Sequence, residues 1–342
     1  MNLSVALCTY NGEKFLREQL DSIAEQTLLP DELVVCDDRS KDGTLKILEE
    51  FGESAPFPVH IHQNEINLGS TRNFEKAISL CQGDIIALCD QDDVWKPHKL
   101  ERLAEVLQAH PEAGYVFSDA ELVDENLRPL GRLLWDSVGF RGQVRKLFGK
   151  GEQVPCFARQ HIVTGATMAF RATVGEMAMP FPTDGYWIHD GWVALVSSAT
   201  GHLGISIDES LIAYRQHSSQ QIGAPDPATT MREKSLLGMY HDLKAHQQYL
   251  FTEWEKHCLH VLKLKDILKR MQERHPSPAL DQNLKYFQEF ETHFLARRKI
   301  LTSKGPRRYW LILREVFSGR YAKFSDSWRS LFRDTFLRLS NG

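Results

Sequence analysis

The sequence predicts an α/β fold, a mostly parallel sheet flanked by helices, with a helical C-terminal extension. Three observations carry this expectation. Apolar runs of strand length alternate with helix-spaced apolar stripes over the first hundred or so residues. The runs are near-continuous, as in strands covered on both faces. After about residue 228 only the helical pattern continues.

LSVALCTY (3–10) is the first strand, followed by a stripe of Phe15, Leu16, Leu20, Ile23 and Ala24 at helix spacing. ELVVCDD (32–38) is the second strand. Residues 42–51 form the next helix, with Leu45, Leu48 and Phe51 on one side. VHIHQ (59–63) is a third strand, and Phe74, Ala77, Ile78 and Cys81 mark a helix face. DIIALCD (84–90) is a fourth strand. Pro97 opens a helix with Leu100, Leu103 and Leu107 inward, and GYVFSD (114–119) is a fifth strand. From 120 to 160 the chain is irregular, basic and glycine-rich, which predicts loops and a lid. HIVTGATMAFR (161–171) reads as a strand turning through small residues, HDGWVALVSSATG (189–201) as a loop entering a helix, and GISIDESLIAYRQH (204–217) as one or two strands. The helical tail is broken at HPSP (275–278) and SKGP (303–306).

With 342 residues the chain holds one large domain and an appendage, divided here into 1–225 and 226–342. A net charge of −4 argues against a nucleic-acid binder by bulk electrostatics. No pair of the six cysteines has zinc-ligand spacing, and Cys8, Cys36 and Cys89 lie in apolar runs where a thiol acts as a small hydrophobe. MNLSVALCTYNG has no basic segment of the signal-peptide kind, and no run of about 18 apolar residues occurs. A reducing, cytoplasmic setting is the expectation.

In such sheets ligands bind at the carboxyl ends of the strands. Here those ends are Thr9-Tyr10-Asn11, Asp37-Asp38 and Asp90-Gln91-Asp92-Asp93. Three carboxylates within four residues repel one another and need a cation if they are buried. Mg²⁺ and Mn²⁺ suit such oxygen ligands and are shared with substrate phosphates. The alternative is a solvated turn in which Asp93 caps the following helix.

TYNGEKFL (9–16), VVCDDRSKDGT (34–44), NLGSTRNFEKA (67–77) and CDQDDVW (89–95) together resemble the inverting family 2 glycosyltransferases of the GT-A nucleotide-diphospho-sugar transferase fold, over roughly residues 1–220. DQDDVW, TGATMAFR, HDGW and AYRQH resemble a bacterial branch that includes rhamnosyltransferases of surface polysaccharides such as O antigen.

The resemblance implies roles residue by residue. Thr9, Tyr10 and Asn11, with Glu13 close behind, match the nucleotide-holding end of the first strand. Asp38 matches the acid that accepts a base N3–H, which implies a dTDP- or UDP-sugar donor; dTDP-L-rhamnose is the first expectation. Asp37, Asp38, Ser40 and Asp42 equally form an Asx-rich turn, and both readings can hold. Arg72 and Asn73 match a helix start facing the diphosphate, or serve as surface capping. Asp90 is expected near the ribose and Asp92 on a divalent metal (Mg²⁺ or Mn²⁺), with Asp93 able to share either role. His217 matches a position that brings a histidine to the metal. Asp190 is the expected base, or else a helix cap; His189 replaces the acid usual before it and is a rival base or an acceptor contact. Gly165, with Ala166 and Thr167, would let a sugar approach the backbone. Trp187 and Trp192 are sugar-stacking or core residues.

A nucleotidyltransferase would open with a Gly-rich, Arg/Lys-bearing loop, which TYNGEKFL lacks. A non-catalytic glycan binder or scaffold would need neither base nor metal site. The expected acceptor is a hydroxyl of a glycan or lipid-linked oligosaccharide.

Residues 297–342 hold 12 Lys or Arg against 3 Asp or Glu, a local charge of +9. Trp328, Leu331, Phe332, Thr335 and Leu339 lie on one helical face, with Arg329, Arg333 and Arg338 near the other. This suits peripheral attachment to an anionic membrane, with Tyr309 to Leu313 as further anchors, or else a homo-oligomer contact or a helix packed on the catalytic domain.

Overall fold

The computed structural model describes residues 1–158, 160–183, 187–220, 223–224, 247–325 and 327–336. The chain divides into two compact units, Met1–Thr230 and Met231–Gly342.

The first unit is built on one sheet. Its strands are β1 (Leu3–Thr9), β2 (Glu32–Asp37), β3 (Val59–Gln63), β4 (Ile85–Cys89), β5 (Val94–Trp95), β6 (Tyr115–Val123), β7 (Pro129–Leu133), β8 (Met168–Arg171) and β9 (Gly204–Arg215). Their order is β3-β2-β1-β4-β8-β6-β9-β5, with β7 paired to β6. The four strands β3, β2, β1 and β4 are all parallel. Beyond β4 the sheet is mixed: β8 is antiparallel to β4 and β6, β9 is parallel to β6, and β5 is antiparallel to β9. Every residue of β1, β2 and β4 is buried, because helices cover both faces.

The helices α1 (Leu16–Ala24), α2 (Thr44–Gly52), α3 (Ser70–Leu80) and α4 (Lys99–Ala109) follow the predicted stripes. They bury Leu16, Leu20 and Ile23; Leu48 and Phe51; Phe74, Ala77 and Ile78; and Leu100, Leu103 and Leu107. The segment 120–160 departs from its expectation of loops and a lid. It continues β6, adds β7, and forms α5 (Leu134–Ser137), α6 (Gly142–Gly149) and α7 (Gln153–Phe157). Trp135, Phe140 and Phe148 surround the buried Phe117 ring with centroids 5.3–5.6 Å away. Aromatic burial therefore orders a segment whose glycines suggested loops.

A short 3-10 turn, Gly165–Thr167, precedes β8; α8 (Ala172–Ala178) and α9 (His189–Thr200) follow it. All twelve residues of α9 are buried. The six cysteines are free thiols, all buried except the half-buried Cys81.

The second unit is helical: α10 (Gln247–Arg274), α11 (Pro278–Thr302), α12 (Pro306–Phe317), α13 (Arg320–Phe324) and α14 (Ser327–Phe336). Both predicted breaks fall between helices, and the Ser277 hydroxyl caps α11 by accepting from the Leu280 N–H at 3.1 Å. A buried polar network ties it together. Arg297 pairs with Asp334 through two nitrogens, and Glu315 accepts from Arg320 and His293. Of the stripe read on the last helix, Phe332 packs against the buried Leu301, so that face is partly internal. The side chains of Trp328 and Arg329, and all of Arg338 and Leu339, lie outside the described residues. No helix among the described residues is long and apolar enough to cross a membrane.

Candidate active site

The parallel strands bring their carboxyl ends side by side, with Thr9 opposite Asp37 and Leu7 opposite Cys89. A cavity of about 740 Å³ opens at this edge. Its wall includes Thr9, Tyr10, Asp38, Asn73, Asp90, Asp92, His189 and Asp190. Eight of the residues singled out in the sequence, far apart along the chain, therefore face one space.

At the nucleotide side, Thr9 donates its hydroxyl to Asp37 at 2.9 Å, and Asp37 also closes the turn by accepting from Ser40. Asp37 thus supplies the Asx turn and leaves Asp38 to the cavity. Asp38 is buried; its Oδ1 accepts from Asn64 at 2.9 Å and from the Leu68 N–H at 2.7 Å, its Oδ2 from the Gly69 N–H at 2.9 Å. These donors fix the carboxylate at the start of α3, and Oδ2, with one donor, retains free accepting capacity. Asn73 is buried behind it, donating to the Cys36 carbonyl at 2.8 Å and accepting from Asn64.

Three expected nucleotide contacts lie outside the cavity wall. Asn11, at a left-handed φ of 49°, donates its N–H to Ser40 and accepts from the Lys41 N–H at 2.9 Å. Glu13 accepts from the Gly43 N–H at 2.9 Å. Both brace the loop between β2 and α2. Arg72 is ion-paired with Glu75 on the α3 surface.

The acidic segment is shaped by the pairing of β5 with β9, Val94 opposite Ala213. That ladder brings 90–93 against the segment after β9, and Asp92 Oδ2 meets His217 Nε2 at 2.8 Å. Ser219 Oγ lies 2.8 Å from His217 Nδ1, and the imidazole leans on Phe15. A carboxylate and an imidazole nitrogen held this way, with the second nitrogen oriented by a hydroxyl, fit a divalent cation. No group of three or more His, Cys, Asp or Glu poised for a metal occurs among the described residues. The remaining ligands would then be phosphate oxygens and water, the usual arrangement for Mg²⁺ or Mn²⁺.

Asp93, expected beside the cation, turns inward instead. It is fully buried and absent from the wall; its Oδ1 accepts from the Arg215 N–H at 3.0 Å and its Oδ2 has no partner. Burial, then Asp92 and Asp90, holds its carboxyl well above the ordinary range. Burial, with Asp92 and Asp190, pushes Asp90 up to about 7. The buried Lys99 is a nearby compensating cation. It donates to the Ala166 carbonyl at 2.7 Å, lies over the Trp95 ring, and is pushed down to about 7 by burial.

At the other side, His189 and Asp190 open α9 and pack against Gly165. Asp190 Oδ2 accepts from the Gly165 N–H at 2.7 Å, and its Oδ1 accepts from the Gly191 N–H. A Cβ on Gly165 would stand 2.9 Å from His189 Nε2, so only glycine lets this turn approach the pair. His189 stacks on Phe74 with centroids 3.8 Å apart, and neither ring nitrogen has a hydrogen-bond partner. Burial lowers its pKa, which keeps it neutral. Trp187 and Trp192 are both buried, and Trp192 donates to the Ala178 carbonyl at 2.7 Å; neither is in the wall.

Sequence reasoning passed over Gln91, His161, Tyr214 and Arg215. Gln91 ties the end of β1 down by accepting from the Tyr10 N–H at 2.8 Å and donating to its carbonyl. His161 and Tyr214 are part of the wall. Arg215 is fully buried; it donates to the carbonyls of Asp92 and Glu125 and to the Glu18 carboxylate, and its guanidinium lies 4.4 Å from the Phe15 ring centroid. The signal was present in AYRQH, where a cation adjoins the candidate ligand in an otherwise strand-like run.

Residues 4–173 match the family model for glycosyl transferase family 2. An uncharacterized glycosyltransferase of Nostoc sp. is 27% identical over 242 residues, 70% of this chain and 72% of that one. TuaG of Bacillus subtilis, named for teichuronic acid biosynthesis, is 29% identical over 132 residues, 39% of this chain and 52% of that one. Three mycobacterial relatives, 33% identical over 126 residues, are covered over only 36% of their length. Among solved structures, S. aureus TarS 1–349 in complex with UDP-GlcNAc superposes with a TM-score of 0.52 at 18% identity, over 98% of this chain and 91% of that one, which is a likeness of fold.

Proposed function

Through residues 4–173 the chain belongs to glycosyl transferase family 2, and from that premise we propose a metal-assisted, inverting transfer of a sugar from a pyrimidine nucleotide diphosphate to a glycan hydroxyl. Use of a nucleotide sugar follows from the family; the donor, metal and acceptor are our reading. One observation carries it. The cavity wall presents four carboxylates, Asp38, Asp90, Asp92 and Asp190, and no Lys or Arg among its described residues. A diphosphate placed there would meet like charge, and a cation bound beside it would remove that repulsion.

Asp92 and His217 would hold Mg²⁺ or Mn²⁺ together with the diphosphate. The cation supplies charge stabilisation to the departing nucleotide. Asp38 offers a free acceptor position to an imide N–H, which favours uracil or thymine. Asp190 is held by two backbone N–H groups, so its carboxylate has a defined direction from which to accept the acceptor proton as the displacement proceeds. His189, neutral and without ring partners, lies beside it to bind or orient the acceptor. An uncharged sugar suits the wall, and dTDP-L-rhamnose is the first donor to try, with a role in cell-surface polysaccharide synthesis; the similar TuaG is named for teichuronic acid biosynthesis.

The test is thermal melting of the full chain with dTDP-rhamnose, UDP-glucose, UDP-GlcNAc and GDP-mannose, each with and without Mn²⁺. A ligand that binds the native state raises its melting temperature. A metal-dependent rise with a pyrimidine donor is expected. A rise with the guanine donor alone, or one indifferent to EDTA, refutes the reading.

A further inference from the structure

The helix α12 is inside out for a helix of a soluble bundle. Its inward residues are Arg308, Ile312 and Glu315, two of them charged. Its outward face carries Tyr309, Trp310, Leu313, Val316 and Phe317, and Phe317 is 86% exposed. The polar face is internal because it is matched: Arg308 donates to the Asp334 carbonyl, and Glu315 is held by His293 and by two nitrogens of Arg320. Rotating the helix to hide the aromatic residues would break that network. The apolar face is thus fixed toward the outside.

The cations around this face decide what covers it. Lys304, Arg307 and Arg314 are exposed, and Arg314 stands 5.7 Å from the Trp310 ring centroid. The helix has one acid, Glu315, which is buried. We propose that α12 docks the protein on an anionic lipid surface, with Trp310, Leu313 and Phe317 entering the interfacial layer and Lys304, Arg307 and Arg314 meeting the headgroups. Trp and Tyr favour that layer, and cations strengthen attachment to acidic lipid. A second copy of the chain is the competing occupant. A two-fold contact sets a patch against itself, so the cations of one copy would face those of the other with no exposed acid on α12 between them. The sequence suggested the last helix as the anchor with Tyr309 to Leu313 as further anchors; here α12 comes first, because Phe332 of the last helix packs against Leu301.

The experiment is co-sedimentation of the full chain with vesicles of phosphatidylcholine alone and of phosphatidylcholine mixed with phosphatidylglycerol, whose acidic headgroups attract a basic segment. Binding is expected only to the anionic vesicles, with partial release in 0.5 M salt (where the screening length falls to roughly 4 Å). Arg307→Gln with Arg314→Gln should weaken it about 30-fold, at about fivefold per cation. Trp310→Ser with Phe317→Ser should weaken it by at least about tenfold. Thermal melting without lipid checks that both variants fold; neither pair touches the cavity. No binding to anionic vesicles, or binding that both folded variants retain, overturns the proposal. So does a dimer in sedimentation velocity that Trp310→Ser with Phe317→Ser dissociates while vesicle binding is unchanged.

Discussion

Replacing Asp190 with asparagine is the usual way to test a base, yet here the substitution is not isosteric in its bonding. Both carboxylate oxygens accept backbone N–H groups, one from Gly165 at 2.7 Å and one from Gly191. An amide can offer its oxygen to only one of them and must turn its own NH₂ toward the other. A buried N–H left without an acceptor costs about 1–3 kcal/mol. Loss of a base lowers turnover by about 10²–10⁴-fold. The two effects separate in measurement: melting temperature and donor affinity report the first, single-turnover transfer at saturating donor the second. Asp190→Asn should therefore melt earlier, bind donor within a few-fold of wild type, and transfer at least about 100-fold more slowly. Transfer within tenfold of wild type, with the melting shift present, would reduce Asp190 to a helix-capping residue. His189→Ala is the matched control, since that ring makes no hydrogen bond that folding would miss. A larger loss of transfer in His189→Ala than in Asp190→Asn would move the proton-accepting role to the imidazole.

Asp92→Asn and His217→Ala should each lower kcat/KM by at least about 100-fold and raise the Mn²⁺ concentration for half activity, because a cation contributes several kcal/mol at the departing diphosphate; full activity in EDTA would remove the metal from the mechanism. Gly165→Ala places a methyl 2.9 Å from His189 Nε2 and should cost about 1–3 kcal/mol of stability while lowering kcat more than donor affinity; melting and steady-state kinetics check it. In the helical unit, burial pushes Glu315 up, but its hydrogen bonds from Arg320 and His293 outweigh burial and hold it down, from 4.5 to about 2. Its contribution is present above pH 4.5 and is lost as pH falls toward 2; about 3 kcal/mol goes over that window, and the acid-side slope of unfolding free energy should be flatter in Glu315→Gln.

The sheet half made of β1 to β4 was legible because each strand is a continuous apolar run and each helix a clean stripe. The other half was legible only in part. Strands are readable at β6, β8 and β9, but β5 is two residues long, too short to show a period, and the antiparallel placement of β5 and β8 depends on contacts distant in sequence. The segment 120–160 misled for a related reason: its glycines are visible locally, while Phe117, which Trp135, Phe140 and Phe148 pack around, lies upstream of it. For the site, motif position was enough to bring Asp38, Asp90, Asp92, His189 and Asp190 to one cavity. It failed for direction. Asp92 and Asp93 are adjacent and chemically identical, and strand pairing through Val94 sends one to the cavity and the other inward. Asn11 and Glu13 share the right loop but spend their bonds on Ser40, Lys41 and Gly43.

Several buried polar atoms without a hydrogen-bond partner belong to residues at or beneath the cavity. In the helical unit, Arg297 is matched to Asp334 and Glu315 to Arg320 and His293. At the cavity, His189 and Ser137 are wall residues whose ring nitrogens and hydroxyl are buried without partners, and Asp93 Oδ2 is partnerless in the adjoining core. Each such group costs about 1–3 kcal/mol unless something arrives to pair with it. Asp90 is raised to about 7 by burial beside Asp92 and Asp190. Folding alone gains nothing from this arrangement. Under the proposed function, a cation between Asp92 and His217 would relieve the carboxylate repulsion. On that reading, the stability held back at this edge of the sheet would be recovered when donor and metal bind together.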